Sequence, residues 1–100
     1  PGGRWLPLRA PPLAQPCYQG RKLPGWGQFF STECLHVGSR DHDDPDVGGS
    51  YAASARAVHG EIARLQREHG VAPERVIVAG FSQGAALALE SALCFGGRLA

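Results

Sequence analysis

Apolar and polar positions follow a clear helical period in one part of the chain, residues 51–68. The recurring apolar positions, spaced by three or four residues, are Tyr51, Ala55, Val58, Ile62 and Leu65. Residues three and four apart share one face of a helix, so this pattern predicts an amphipathic helix with a single apolar stripe.

Residues at both ends of this segment predict where the helix begins and ends. Ser50 is expected to be the N-cap, since its hydroxyl can accept a free backbone N–H of the first turn. Gly70 should end the helix, and Pro73 should prevent its continuation. The acidic residues 41–46 should lie just before the helix N-terminus, where negative charge is favoured.

The pattern changes after this helix. Residues 75–79, RVIVA, are β-branched and continuously apolar, which predicts a strand covered on both faces. Residues 80–84 should form a tight turn. Residues 84–95 are apolar on nearly every side, which predicts a buried helix. Helix, buried strand, glycine turn and buried helix in this order predict an α/β fold, a parallel sheet with flanking helices.

Residues 1–50 show no such period and should be rich in loops. Residues 1–28 contain many prolines and glycines, with one possible short strand at 4–8 that Pro7 weakens. The remainder should be an extended loop held by the prolines and by Trp5 and Trp26. We expect the 100 residues to form part of one α/β domain, loop-rich at 1–50, with helix, strand, turn and helix at 51–96.

The composition of the chain bears on which binding partners are expected. Ten Lys and Arg residues against nine Asp and Glu residues give a charge of +1, which indicates no nucleic-acid surface. The longest apolar stretch, residues 85–95, contains Glu90 and is too short to be a transmembrane segment. Cys17, Cys34 and Cys94 form no CxxC pair and are odd in number, so we expect ordinary thiols in a reducing, cytoplasmic setting.

The glycine turn carries the candidate chemistry, because Gly80, Ser82 and Gly84 fit the pattern G-x-S-x-G. A strand that turns sharply into a helix strains the backbone of the central residue and exposes its side chain above the sheet. Ser82 is therefore expected to be a catalytic nucleophile, and the Gln83 backbone N–H to stabilise an oxyanion. The two glycines should let the strand and the helix pass closely.

Two other interpretations of this turn exist. It could be a glycine-rich turn with an incidental serine, but an apolar strand before it and a helix after it favour the nucleophile elbow. It could also be a nucleotide-binding turn. A dinucleotide fingerprint requires glycine where Ser82 stands, however, and a phosphate-binding loop requires a lysine that is absent.

The segment GVAPERVIVAGFSQGAALALESAL, residues 70–93, resembles the elbow region of the acyl-protein thioesterase and carboxylesterase (phospholipase/carboxylesterase) family of α/β-hydrolases. Upstream, Ala10 and Pro11, Gly20, Leu23 and Trp26 fall on the spacing of a second family segment. The resemblance implies a partial α/β-hydrolase fold and hydrolysis of acyl thioesters or carboxylic esters. The implied substrates are small molecules, lysolipids or acylated proteins, with no metal and no organic cofactor.

The chain departs from the family pattern in ways that affect activity. Gly27 and Gln28 stand where the family has an aromatic residue and an aspartate, and the family's upstream oxyanion loop would precede Pro1. In such enzymes the triad runs Ser, Asp, His, yet Glu90 is the only carboxylate or histidine after Ser82. We therefore expect negligible turnover from these residues alone. The alternative is a truncated or degenerate hydrolase, at most a binding module.

The histidines upstream of Ser82 are weak candidates for the missing base. His59 and His69 belong to the predicted helix, and a helix before the elbow strand packs on a face of the sheet, away from the nucleophile. His36 and His42 lie in the irregular segment, closer to where the site could be. We expect solvated or structural roles for all four.

Three further features each have two interpretations. The DHDDPD run at 41–46 lacks the EF-hand pattern, so a hydrated acidic loop is favoured over a metal site. Trp26, Phe29 and Phe30 could line an acyl groove or pack in the core. A sheet with one secure and one weak strand leaves the helix at 84–95 short of partners, so exposed apolar surface and aggregation are expected.

Overall fold

A computed structural model of the chain describes residues 3–33, 36–44 and 46–100. It contains strands β1 (Pro12–Gln15) and β2 (Arg21–Pro24), and helices α1 (Arg40–Asp43), α2 (Ser50–His69) and α3 (Gln83–Leu93). Two 3-10 turns, Pro16–Tyr18 and Pro73–Arg75, complete the regular structure. Cys34 and Pro45 lie outside the described residues.

The two strands form an antiparallel hairpin in which Leu13 pairs with Leu23. The turn between them begins at a proline and ends with Gln19 and Gly20 at φ of 56° and 79°, which reverses the chain. The strand expected at 4–8 is wrong, because the first strand begins at Pro12. Trp5 is 90% exposed and so does not hold the loop, contrary to expectation.

Helix α2 confirms the predicted apolar stripe, since Ala55, Val58 and Ile62 are buried along it. Gly70, at φ of 65°, ends the helix as predicted. The N-cap prediction is wrong, because Gly49 occupies that position and makes no side-chain cap.

The first turn of α2 is capped from further upstream. The Asp46 carboxylate accepts hydrogen bonds from the N–H groups of Tyr51 (2.7 Å) and Ala52 (3.1 Å). Ser50 instead accepts a hydrogen bond from the Gln28 N–H through its hydroxyl, at 3.1 Å. The predicted placement of acidic residues before the helix is thus confirmed, with Asp46 as the capping group.

Val76 is extended, and side-chain burial alternates over residues 76–78 as it does along an extended chain. Residues 76–79 are nevertheless not part of a sheet in the described chain, where the hairpin is the one sheet. Val76 and Val78 pack against the core, whereas Ile77 is 77% exposed. The expectation of a strand covered on both faces in a parallel sheet is therefore not met. A strand in a sheet has its N–H and C=O groups hydrogen-bonded to a neighbouring strand. The Val76 carbonyl instead accepts a hydrogen bond from the Ala100 N–H, at 3.1 Å.

Helix α3 buries one side rather than its whole circumference. Leu87 and Ser91 are buried, but Leu89 and Leu93 are 63% and 74% exposed. The prediction of a helix buried all round is wrong, while the expectation of exposed apolar surface is confirmed. The cause is that α3 packs mainly against α2 and has no layer on its other side within the described residues.

Helices α2 and α3 lie side by side and run in the same direction. Near their beginnings, Ser54 and Gln83 both bond to Trp26, and further along, His59 of α2 contacts Ser91 of α3. The core between them consists of Ala55, Val58, Ile62 and Leu87. Residues 70–82, which include 76–79, connect the end of α2 to the beginning of α3. None of the helices in the described part of the chain is long and apolar enough to cross a membrane.

Candidate active site

Ser82 lies in a strained turn immediately before α3. Its backbone has φ of 52° and ψ of −120°, and among the described residues Gln19 is the one other non-glycine with positive φ. Such a conformation costs free energy for a residue with a Cβ and is found chiefly where function requires it. The turn is closed by hydrogen bonds from the Gly84 N–H to the Phe81 carbonyl (2.8 Å) and from the Ala85 N–H to the Ser82 carbonyl (2.9 Å). The Ser82 residue is exposed.

The two glycines of the turn have different steric surroundings. A Cβ at Gly80 would overlap the Gly84 carbonyl group and lie 2.7 Å from the Ala85 nitrogen. A Cβ at Gly84 would have the Trp26 indole nitrogen as its nearest neighbour, at an ordinary contact distance of 3.8 Å. The close approach of the two chain segments therefore requires glycine at position 80, while position 84 has room for a methyl group.

The Gln83 residue presents its backbone and its side chain to different partners. Its N–H is the first of α3, and the hydrogen bonds that close the turn use the N–H groups of Gly84 and Ala85 instead. Its side-chain oxygen accepts from the Trp26 N–H at 2.7 Å, and its side-chain nitrogen donates to the Gly27 carbonyl at 3.1 Å. The sequence carried no signal for these bonds, because they join residues 57 and 56 positions apart.

We call residues 25–29 the tryptophan segment. Further side chains hold its main chain: the Ser54 hydroxyl donates to the Trp26 carbonyl at 2.6 Å, and the Gln15 side-chain nitrogen donates to the Gly27 carbonyl at 3.1 Å. The Tyr51 ring lies so close to Gly27 that a Cβ there would overlap it. The segment is thus fixed between the hairpin, α2 and the start of α3.

Trp26 lies beside the turn that carries Ser82. Its residue is half-buried, it packs against the core cluster, and its indole nitrogen is near Gly84. Phe30 lies elsewhere, with the Arg40 guanidinium 3.9 Å from its ring centroid. The three aromatic residues that the sequence grouped together therefore have separate surroundings.

Aspartates of the acidic segment bind main-chain N–H groups. Asp41 is buried, and its two carboxylate oxygens accept from the N–H groups of Phe30 and Ser31, each at 2.8 Å. Asp43 accepts from the Gly38 N–H at 2.9 Å. The expected hydrated acidic loop is wrong for Asp41, because these bonds draw its carboxylate into the fold.

A cavity of about 270 Å³ lies behind the tryptophan segment. Its lining residues are Gln28, Phe29, Asp41, Asp46, Tyr51, Ala86 and Glu90. Burial raises the pKa of Tyr51 above its usual 10.0; a hydrogen bond with the Gln83 side chain lowers it, and the charges of Asp46 and Asp41 raise it further. Three of the lining side chains are carboxylates, and those of Asp41 and Asp46 already accept hydrogen bonds from main-chain N–H groups.

The contacts described for His59 and His42 are with groups other than Ser82. The His59 side-chain nitrogen Nε2 is 2.7 Å from the Ser91 carbonyl oxygen, and its ring meets Phe95 edge-on at 5.3 Å. Ser91 lies about 13 Å along α3 from Ser82 at 1.5 Å per residue. This confirms the structural role predicted for His59. His42 pairs with Asp43 at 2.7 Å on α1, and His69 is the exposed last residue of α2.

Comparisons with known proteins agree with these features. A family model described as Phospholipase/Carboxylesterase matches residues 4–100. A protein named Probable carboxylesterase SOBER1-like, from Arabidopsis thaliana, is 34% identical over 92 residues, which are 92% of this chain and 32% of that protein. A Probable inactive carboxylesterase from Oryza sativa subsp. japonica is 33% identical over 90% of this chain and 34% of its own length.

A third relative is Acyl-protein thioesterase 1 of Neurospora crassa, 28% identical over 84% of this chain and 33% of its own length. The chain thus spans about a third of the length of the curated relatives that it matches.

Proposed function

The chain belongs to the phospholipase/carboxylesterase family, whose fold is α/β, and from this membership we propose that it carries the nucleophile of a serine hydrolase acting on carboxylic esters or acyl thioesters. The nucleophile is Ser82. The observation that carries the proposal is the backbone of this residue, an exposed serine with φ of 52° between an extended segment and the first residue of α3. The relatives named carboxylesterase and acyl-protein thioesterase support both substrate classes.

The proposed reaction proceeds through an acyl-enzyme. The Ser82 Oγ attacks the acyl carbonyl carbon, a new O–C bond forms, and the Oγ proton passes to a histidine base. The Gln83 N–H donates a hydrogen bond to the oxyanion of the tetrahedral intermediate. That intermediate loses the thiol or alcohol, which takes the proton, and water then hydrolyses the acyl-Ser82 ester. The base, its carboxylate partner and a second oxyanion donor come from parts of the protein outside these residues.

We further propose that residues 76–79 form a strand of a parallel sheet in the complete hydrolase. The parallel course of α2 and α3, with the extended segment between them, supports this. Trp26 is proposed to line the acyl-binding site, because it lies at the first turn of α3. A cytoplasmic location is proposed on the odd number of cysteines without a CxxC pair.

Active-site labelling tests the proposed nucleophile. The product of the whole coding sequence is expressed, treated with a fluorophosphonate, and digested with trypsin. We expect the label on Ser82 in the peptide 76–98, which also contains Ser91. Ser91 is fully buried and serves as an internal control. Ser82→Ala should abolish the label and the hydrolysis of acyl thioesters, and label on Ser91 or on neither serine would contradict the proposal.

A second candidate is a hydrolase without activity, as the name of the rice relative says of that protein. The observation that favours it is the 33% identity with that relative over 92 residues. The 100-residue chain, assayed alone with a short-chain acyl thioester, should give no turnover that depends on Ser82. If the product of the whole coding sequence is also unlabelled, the inactive alternative is favoured.

A further inference from the structure

The Gln83 side chain uses both ends of its amide on neighbouring peptide groups of the tryptophan segment. Its oxygen accepts from the Trp26 N–H and its nitrogen donates to the Gly27 carbonyl. The two contacts fix the amide orientation, because Trp26 offers only a donor there and Gly27 only an acceptor. If the amide oxygen and nitrogen exchanged places, neither contact would be a hydrogen bond.

The same residue is covalently bonded to Ser82, so the contact joins the tryptophan segment directly to the strained turn. Hydrogen bonds from Gln15 and Ser54 attach the segment to the hairpin and to α2. Within the described residues, Gln83 alone makes side-chain hydrogen bonds between the tryptophan segment and the turn. This amide therefore helps to set the position of Trp26 relative to Ser82, together with the Ser54 hydrogen bond and the packing of Trp26 against the core.

We propose that the Gln83 side chain is a positioning residue, which holds Trp26 beside Ser82 and keeps the Ser82 turn in its strained form. The effect on catalysis rests on the proposed function, whereas the hydrogen bonds of Gln83 do not. The side chain acts on main-chain atoms of residues 26 and 27, while the Gln83 backbone N–H remains available for the oxyanion. Binding of the acyl group next to Trp26 and attack by Ser82 are thereby coupled.

Gln83→Met tests the role, because it keeps the length of the side chain and removes both hydrogen bonds to the tryptophan segment, together with the hydrogen bond to Tyr51. Gln28→Met is the matched control, since Gln28 lies in the same segment but its side chain donates to the Ala14 carbonyl in β1, at 3.0 Å. Both variants are made in the protein expressed from its own coding sequence. Hydrogen exchange of the Trp26 N–H and the rate of fluorophosphonate labelling at Ser82 are measured for each.

We expect Gln83→Met to lower the protection of the Trp26 N–H and the labelling rate of Ser82 by about tenfold each, from the loss of these partly buried hydrogen bonds. Exchange of the buried α2 amides at Val58 and Ile62 should not change. Gln28→Met should leave the labelling rate within about twofold of the wild type. Equal loss of protection in α2, or wild-type behaviour of Gln83→Met in either measurement, would overturn the inference.

Gln83→Glu adds a pH signature that a merely space-filling role would not produce. A protonated Glu has one acceptor and one donor, as Gln has, and so can bond both Trp26 and Gly27. The ionised form cannot donate to the Gly27 carbonyl. The ionised form still accepts from the Trp26 N–H, so the protection of this N–H should persist at pH 7 while the bond to Gly27 is lost. The carbon chemical shift of the Gly27 carbonyl should therefore match that of the wild type below the usual Glu pKa of about 4.3 and depart from it at pH 7. A difference from the wild type that does not vary with pH would contradict the inference.

The two proposals fail in different ways. A wild-type protein that is not labelled at Ser82 refutes the proposed hydrolase, while the exchange measurements on Trp26 still decide the hydrogen bonds. Labelling of Ser82 at equal rates in the wild type and Gln83→Met, in contrast, leaves the hydrolase intact and refutes the positioning role.

Discussion

Among single residues, Ser82 and Gly80 have backbone surroundings that few other amino acids fit. Ser82 adopts a positive φ although it has a Cβ, and Gly80 has no space for one. The two constraints belong to the same crossing, where the chain leaves its extended course and begins α3. Gly84, two residues after Ser82, is under no such steric constraint.

Alanine at the two glycine positions should therefore have opposite effects. Gly80→Ala is expected to lower the free energy of unfolding by about 2–4 kcal/mol, because the new methyl group overlaps main-chain atoms that cannot move independently. Gly84→Ala should be neutral or stabilising by up to about 1 kcal/mol, since alanine favours the helix. Urea unfolding followed by circular dichroism measures both, and equal destabilisation by the two substitutions would contradict this account.

Tyr51 is a second residue whose surroundings matter, because they change the pKa of its side chain. Its pKa is raised by burial, lowered by the hydrogen bond with Gln83, and raised by the charges of Asp46 and Asp41. The folded protein therefore keeps the phenol proton to higher pH than the unfolded chain. The resulting contribution to stability is complete below the usual pKa of 10.0 and is lost as pH rises through the higher pKa of the folded state.

Spectrophotometric titration tests this shift, because Tyr18 and Tyr51 are the only tyrosines in the sequence. Tyr18→Phe leaves Tyr51 as the single phenol and should titrate above pH 10.0. Tyr51→Phe is the control, because this variant should lack the transition assigned to Tyr51. A midpoint of Tyr18→Phe at or below pH 10.0 would show that the surroundings of Tyr51 are misassigned.

At the scale of whole elements, α2 is stabilised by packing on one face and by a cap from outside the helix. The apolar stripe packs against α3, while the Asp46 carboxylate accepts from two N–H groups of the first turn. Negative charge at this end also interacts favourably with the helix dipole. The cap therefore depends on the conformation of the acidic segment, not on the residue next to the helix.

Asp46→Ala should lower the free energy of unfolding by about 1 kcal/mol, the usual effect of removing a helix cap. Asp44→Ala is the control, because Asp44 is exposed and its carboxylate makes none of the hydrogen bonds found in the described segment. Thermal or urea unfolding of both variants gives the comparison. A loss of the same size in Asp44→Ala would indicate a general charge effect instead of capping.

At the scale of the molecule, the fold leaves apolar surface in solvent. The exposed fractions are 77% for Ile77, 92% for Phe81, 63% for Leu89 and 74% for Leu93. The radius of gyration is 15.0 Å, larger than the roughly 13 Å typical of a compact domain of this length. Exposed apolar side chains of this size favour association in a chain of modest net charge.

The 100-residue chain alone should therefore self-associate at micromolar concentration. Leu89 and Leu93 share one face of α3, being four residues apart. Changing both to Lys should reduce association about tenfold, as measured by sedimentation velocity, with no change in helix content. Val37→Lys is the control, because Val37 is 80% exposed but lies outside α3. Equal reduction by the control would implicate net charge alone.

Local features of the fold follow from the sequence because they depend on neighbouring residues. The stripe of α2, its end at Gly70 and the turn around Ser82 all arise from periods or spacings of a few residues. The same reasoning failed at Ser50, whose hydroxyl bonds to the Gln28 N–H, and at residues 4–8, which stay exposed and unpaired with either strand of the hairpin. Asp46 replaced Ser50 as the capping residue because the acidic segment folds back onto the helix.

The sequence by itself determined where the chain turns sharply and which face of α2 is buried, because backbone sterics and the helical period act over short distances. Only the tertiary structure decided the role of the Gln83 side chain, since a glutamine can bond to any peptide group and its partners lie more than fifty positions away. It likewise decided that α3 buries one side, because burial depends on which other elements are packed around a helix.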